Sequence, residues 1–72
     1  MTTSEKLVLL RGNRTQSEVA KGIGITTSAY SNYEQGIRTP RDTIKRKIAD
    51  YYEKSVEYIF FDRIDHEMWT VD

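Results

Sequence analysis

The sequence predicts an all-α domain, a compact bundle of about five short helices. Three observations predict it. Ser4, Thr15, Thr26 or Thr27, Thr39 and Ser55 each precede apolar residues at helical spacing, as capping residues do. No segment alternates apolar and polar residues over strand length. The chain has 72 residues and no cysteine, so a single domain must hold together without disulfides.

The elements follow in order. Ser4 is read as the start of a first helix, with Glu5 in its first turn and Leu7 and Leu10 on one face. Gly12-Asn13 stops it. Thr15-Gln16-Ser17-Glu18 reads as a capping box opening a second helix, with Val19, Ala20 and Ile23 inward. Gly22 and Gly24 are expected to limit its length, and Gly24 suits a tight turn. Thr26 or Thr27 caps a third helix, with Ala29, Tyr30 and Tyr33 as its apolar positions and Gly36 closing it. Thr39-Pro40-Arg41-Asp42 reads as another capping box, with Pro40 at the first helical position. Ile44, Ile48 and Tyr51 or Tyr52 mark a fourth helix that Lys54-Ser55 ends. Ser55 caps a last helix carrying Val56, Ile59 and Phe60.

Composition excludes several function classes. Without cysteine there is no thiolate zinc site, iron–sulfur cluster or cysteine nucleophile, and one histidine cannot make a two-histidine metal site. His66, between Asp65 and Glu67, forms no triad. No Gly-rich phosphate loop or credible acid/base pair suggests an enzyme, and no cofactor or small-molecule substrate is expected. The longest unbroken apolar run, Leu7 to Leu10, is far shorter than the roughly 20 residues of a spanning helix. No charged segment precedes a long apolar one, so the expected location is the cytoplasm.

A net charge of zero conceals an asymmetry. Residues 37–47 carry Arg38, Arg41, Lys45, Arg46 and Lys47 against Asp42, a net +4. Residues 48–72 carry Lys54 and Arg63 against Asp50, Glu53, Glu57, Asp62, Asp65, Glu67 and Asp72, a net −5. A basic middle can meet phosphate, and an acidic end can meet a basic partner. Charge alone also describes solvated helix faces.

The segment Thr15–Gly36 carries the functional signal. Two short helices joined by a glycine-containing turn make a helix-turn-helix. The small Ala20 lets them approach, Gly24 bends the chain, and Ile25 fills the space behind the bend. The second helix of such a unit can enter the major groove and present side chains to base edges.

These residues resemble the XRE family, the helix-turn-helix of phage repressor and Cro proteins and their bacterial relatives. The resemblance rests on Thr15-Gln16, Val19-Ala20, Gly24-Ile25-Thr26, Ser31-Asn32-Tyr33-Glu34-Gln35-Gly36, Arg38-Thr39-Pro40 and Ser55 to Phe60. It spans roughly Ser4 to Phe61, and implies a repressor-like DNA-binding domain over residues 1–61 followed by an extension over 62–72. It further implies that Gln16 contacts phosphate and buttresses the reading helix. Thr27, Ser28, Ser31 and Asn32 then face the groove, Thr26 and Asn32 are placed for phosphate, and Arg38 and Arg41 meet the backbone. Glu34 matches a structural position. Arg14 could add a phosphate contact. The reading helix departs from the usual pattern in having no Arg or Lys.

The extension carries Ile64, Met68, Trp69 and Val71 among its acids. Core completion or a dimerisation arm ranks ahead of a docking segment for a basic partner or a frayed end. The leading expectation is a small phage-type or bacterial regulator that binds double-stranded DNA, as a homodimer or with a partner, and represses transcription in a lysogeny-type switch. The alternative is an antirepressor that binds a partner repressor protein and masks its DNA binding.

Overall fold

The computed structural model describes residues 2–61, which form five helices and no strand. They are α1 (Thr3–Arg11), α2 (Gln16–Ile23), α3 (Thr27–Gln35), α4 (Asp42–Tyr52) and α5 (Val56–Phe60). Residues 62–72, and with them the expectations for the extension and for His66, lie outside the described residues.

Each helix is shorter than the roughly 12–15 residues at which an isolated helix becomes even marginally stable, so packing must hold them. α1 packs against α3 and α5, α2 against α3 and α4, and α4 against α5. Leu7, Val19, Ala20, Ile23, Tyr30, Ile48, Ala49, Tyr52 and Ile59 are buried and form one core. Each large apolar side chain removed from water there contributes about 1.5–3 kcal/mol before entropy is counted. Tyr30, fully buried, keeps its phenol satisfied by the Tyr52 hydroxyl at 2.6 Å and by the Leu7 carbonyl, which accepts at 3.4 Å. Tyr52, rather than Tyr51, is the buried tyrosine of α4.

Four local expectations are corrected. α1 starts at Thr2, not Ser4: Thr2 Oγ1 accepts from the Glu5 amide and Glu5 Oε1 accepts from the Thr2 amide. Only Thr2 stands three residues before Glu5, the separation a capping box needs. Gly22 does not shorten α2 but lies within it, where a Cβ would come 2.4 Å from Tyr51 Cε1. Arg41, not Thr39, occupies the cap position of α4, and no side chain caps it. Asp42 lacks the methylene with which Glu or Gln reaches back to a cap amide, and Pro40 is buried ahead of the helix rather than inside it. α4 ends at Glu53, which takes a left-handed conformation (φ 58°), so the break precedes Lys54.

The last helix has five residues and depends on α1. Ser55 Oγ accepts from the Tyr58 amide at one end. At the other, Lys6 Nζ donates to the Tyr58 carbonyl and Thr3 Oγ1 donates to the Ile59 carbonyl at 3.2 Å. A cation at a helix C-terminus complements its dipole, and the buried Lys6 also lies 4.7 Å from the Tyr58 ring centre.

Gly36 ends α3 in a left-handed conformation (φ 78°), and a Cβ there would come 3.0 Å from Ser4 Oγ. G36A should therefore lower stability by about 1–2 kcal/mol, the cost of a left-handed non-glycine residue. Urea denaturation checks this; an unchanged midpoint would mean the turn relaxes freely.

Candidate nucleic-acid interface

The α2–turn–α3 unit is built by three local devices. Thr15 and Glu18 form a reciprocal capping box that starts α2, with Thr15 Oγ1 accepting at 3.0 Å and Glu18 Oε1 at 2.9 Å. Gly24 is left-handed (φ 98°), and its amide and that of Ile25 both donate to the Ala20 carbonyl, at 2.8 and 3.0 Å. This closes the turn while half-buried Ile25 packs on the core. Thr26, not Thr27, caps α3, its hydroxyl oxygen accepting from the Ala29 amide at 3.1 Å.

A buried carboxylate then locks α3 to its neighbours. Glu34 Oε2 accepts from Arg11 Nε at 2.7 Å, and Oε1 accepts from Arg11 Nη2 at 3.2 Å and from Gln16 Nε2 at 2.9 Å. The glutamate side chain is only 3% exposed. Arg11 closes α1, Gln16 opens α2 and Glu34 lies in the last turn of α3. Burial alone would push the Glu34 carboxyl upward; the hydrogen bonds from Arg11 and Gln16 outweigh it, and the group lies below its ordinary value of 4.5. The hydrogen bond to Glu34 holds the Arg11 guanidinium above its ordinary value. Burial, then the bond to Tyr52, raises the nearby Tyr30 phenol.

With Tyr30 and Glu34 inward, the opposite face of α3 is determined. At 3.6 residues per turn, Ser31, Gln35, Ser28 and Asn32 fall within an arc of about 100°. Thr27 flanks that arc on the side of Glu34. Thr27, Ser28 and Gln35 are exposed, and Ser31 and Asn32 are half-buried. Gln35 Nε2 donates to Ser31 Oγ at 2.8 Å. Gln35 was outside the expected site, although its positions i+4 from Ser31 and i+7 from Ser28 put it on the same face.

The remaining expected residues fall into groups. Gln16 is joined to α3 through Glu34, as a buttress. Thr26 stands exposed at the start of α3. Arg38 is exposed at the other end, its amide tied to the Asn32 carbonyl at 3.4 Å. Arg41 is exposed at the start of α4, separated from α3 by the buried Pro40. Arg14 is engaged elsewhere: its guanidinium donates to the Leu10 and Arg11 carbonyls at 2.8 and 3.1 Å and to the Tyr51 hydroxyl at 3.3 Å. It satisfies the end of α1. Lys45 lies 4.8 Å from the Phe61 ring centre, while Arg46 and Lys47 are exposed.

Two capped helices across a glycine turn, the second presenting a polar face, define a DNA-binding domain of the helix-turn-helix class. The chain belongs to the XRE-type helix-turn-helix family: a family model described as helix-turn-helix matches residues 6–59, three quarters of the sequence. The family makes it a DNA-binding transcription regulator. A search of curated proteins found no match, and neither did a search of solved structures. Among the described residues no helix is long and apolar enough to cross a membrane.

The depressed Glu34 carboxyl sets a pH dependence. Its contribution is complete above the ordinary carboxylate value of 4.5 and is lost as pH falls through its lower folded value. E34Q should cost about 1–3 kcal/mol at neutral pH. The gap from wild type should close on acidification. Urea denaturation at stepped pH measures both curves; a gap that does not depend on pH would show that the charge is irrelevant.

Proposed function

We propose that the chain is a repressor that acts by placing α3 in the major groove of double-stranded DNA and blocking promoter access. The observation that carries this reading is the outward polar face of α3, held in place by Glu34 from behind. Thr27, Ser28, Ser31 and Asn32 meet base edges. Gln16, Thr26, Asn32, Arg38 and Arg41 meet the phosphates, which supply most of the affinity. Two features support the phosphate contacts. Thr26 uses an oxygen lone pair for its cap, so its hydroxyl proton is left for an outside acceptor. α3 has no acid in its first turn, so its positive end is not neutralised locally.

One such module contacts too few bases for high specificity, so the functional unit is a homodimer on a two-fold operator. Its half-sites lie about 34–36 Å apart or at multiples of that spacing. A phage-type or bacterial lysogeny switch, operating in the cytoplasm, is the setting we infer. One observation favours a second reading: Thr27–Gln35 contains no Arg or Lys. In that reading the chain is an antirepressor, and its acidic C-terminal end meets the basic DNA-binding surface of a partner repressor.

Mobility shift of duplexes from the chain's own upstream region, at several salt concentrations, separates the two. A salt-dependent, selective shift supports the repressor. No shift by the folded protein supports the antirepressor, to be followed by capture of a neighbouring repressor. R38A should weaken binding to all duplexes alike and reduce the salt slope by about one unit. Unchanged affinity would place Arg38 away from the phosphates.

A further inference from the structure

The outward face of α3 is uncharged. Its helix holds no Lys or Arg, and its one acid, Glu34, is buried and bonded to Arg11 and Gln16. Two common base contacts are thereby removed. Bidentate contact with guanine O6 and N7 uses Arg or Lys, and contact with the cytosine amine uses a carboxylate. The face retains the carboxamides of Asn32 and Gln35, the hydroxyls of Ser28 and Ser31, and the flanking methyl of Thr27.

A carboxamide sets an acceptor beside a donor, which matches the adenine N6 amine and N7. Gln35 is already arranged for this. One hydrogen of its Nε2 goes to Ser31 Oγ at 2.8 Å, leaving one N–H and Oε1 unengaged by that bond. Holding the side chain in this way lowers the entropy cost of a further contact. A methyl suits the thymine C5 methyl. Resting on the DNA-binding reading above, we propose that α3 selects its sites through adenine·thymine pairs. The Asn32 and Gln35 amides meet adenine, Thr27 lies toward the thymine methyl, and no guanine anchors the helix.

The test uses the full chain. Duplexes are selected from a randomised pool, and the enriched one is remade with 7-deazaadenine, which lacks only the N7 acceptor, or with 7-deazaguanine. Expected is enrichment of adenine·thymine pairs in each half-site and a loss of about five- to hundredfold with 7-deazaadenine. 7-Deazaguanine should have little effect. The N32A/Q35A double variant should be insensitive to 7-deazaadenine while keeping the wild-type salt slope. Sensitivity to 7-deazaguanine instead, or an unchanged 7-deazaadenine loss in the double variant, would overturn the proposal. Salt-dependent binding without enrichment overturns it too, but leaves DNA binding standing. If the folded chain binds no duplex at low salt, the DNA-binding reading fails and the proposal with it.

Discussion

The Glu34 carboxylate is the point on which the arrangement of α1, α2 and α3 depends. It joins the end of one helix, the start of the next and the last turn of the third, through three charge-assisted hydrogen bonds. Apolar packing brings short helices together but is not directional. A bidentate guanidinium–carboxylate pair is directional, and the added Gln16 bond restricts it further. Taking one partner away would leave the other poorly solvated, so the cluster works as a unit. The glycine turn sets where α3 begins, and Glu34 sets how it is rotated.

Rotation is the property that matters for groove recognition. A shift of one residue around α3 would turn its polar face by about 100°. The buttress residues spend their polar groups on each other, so the outward face is left to neutral amides and hydroxyls. Positive charge lies beyond that face, at Arg38 and Arg41. In the proposed reading, phosphate contact and base readout therefore fall largely to different residues, with Asn32 placed for both. Arg14 illustrates the division: it is a cation near the motif, yet its guanidinium serves the last carbonyls of α1 and the Tyr51 hydroxyl.

Most of the fold was legible from short-range chemistry. Thr15 with Glu18, Gly24, Gly36 and Ser55 mark boundaries because their roles depend on neighbours within a few residues. The misses have two origins. At the start of α1, three consecutive hydroxyl residues all make acceptable caps, and only the three-residue separation from Glu5 singles out Thr2. At the start of α4, likewise, the shorter Asp42 stands where a capping box needs Glu or Gln. Elsewhere the deciding contact is distant in sequence: Gly22 faces Tyr51. No local pattern encodes that contact. The orientation of α3 was partly legible, with Tyr30 as an apolar position and Glu34 as a structural one; Gln35 was passed over although its spacing from Ser28 and Ser31 puts it on their face.

Amide chemical-shift mapping of the full chain against a duplex reads out whether α3, held by Glu34, is the surface that meets DNA. Perturbations are expected along Thr26–Gln35 and at Gln16, Arg38 and Arg41, with the Arg46 and Lys47 side of α4 unaffected. Perturbations centred on α4, or none along α3 at saturating duplex, would contradict it.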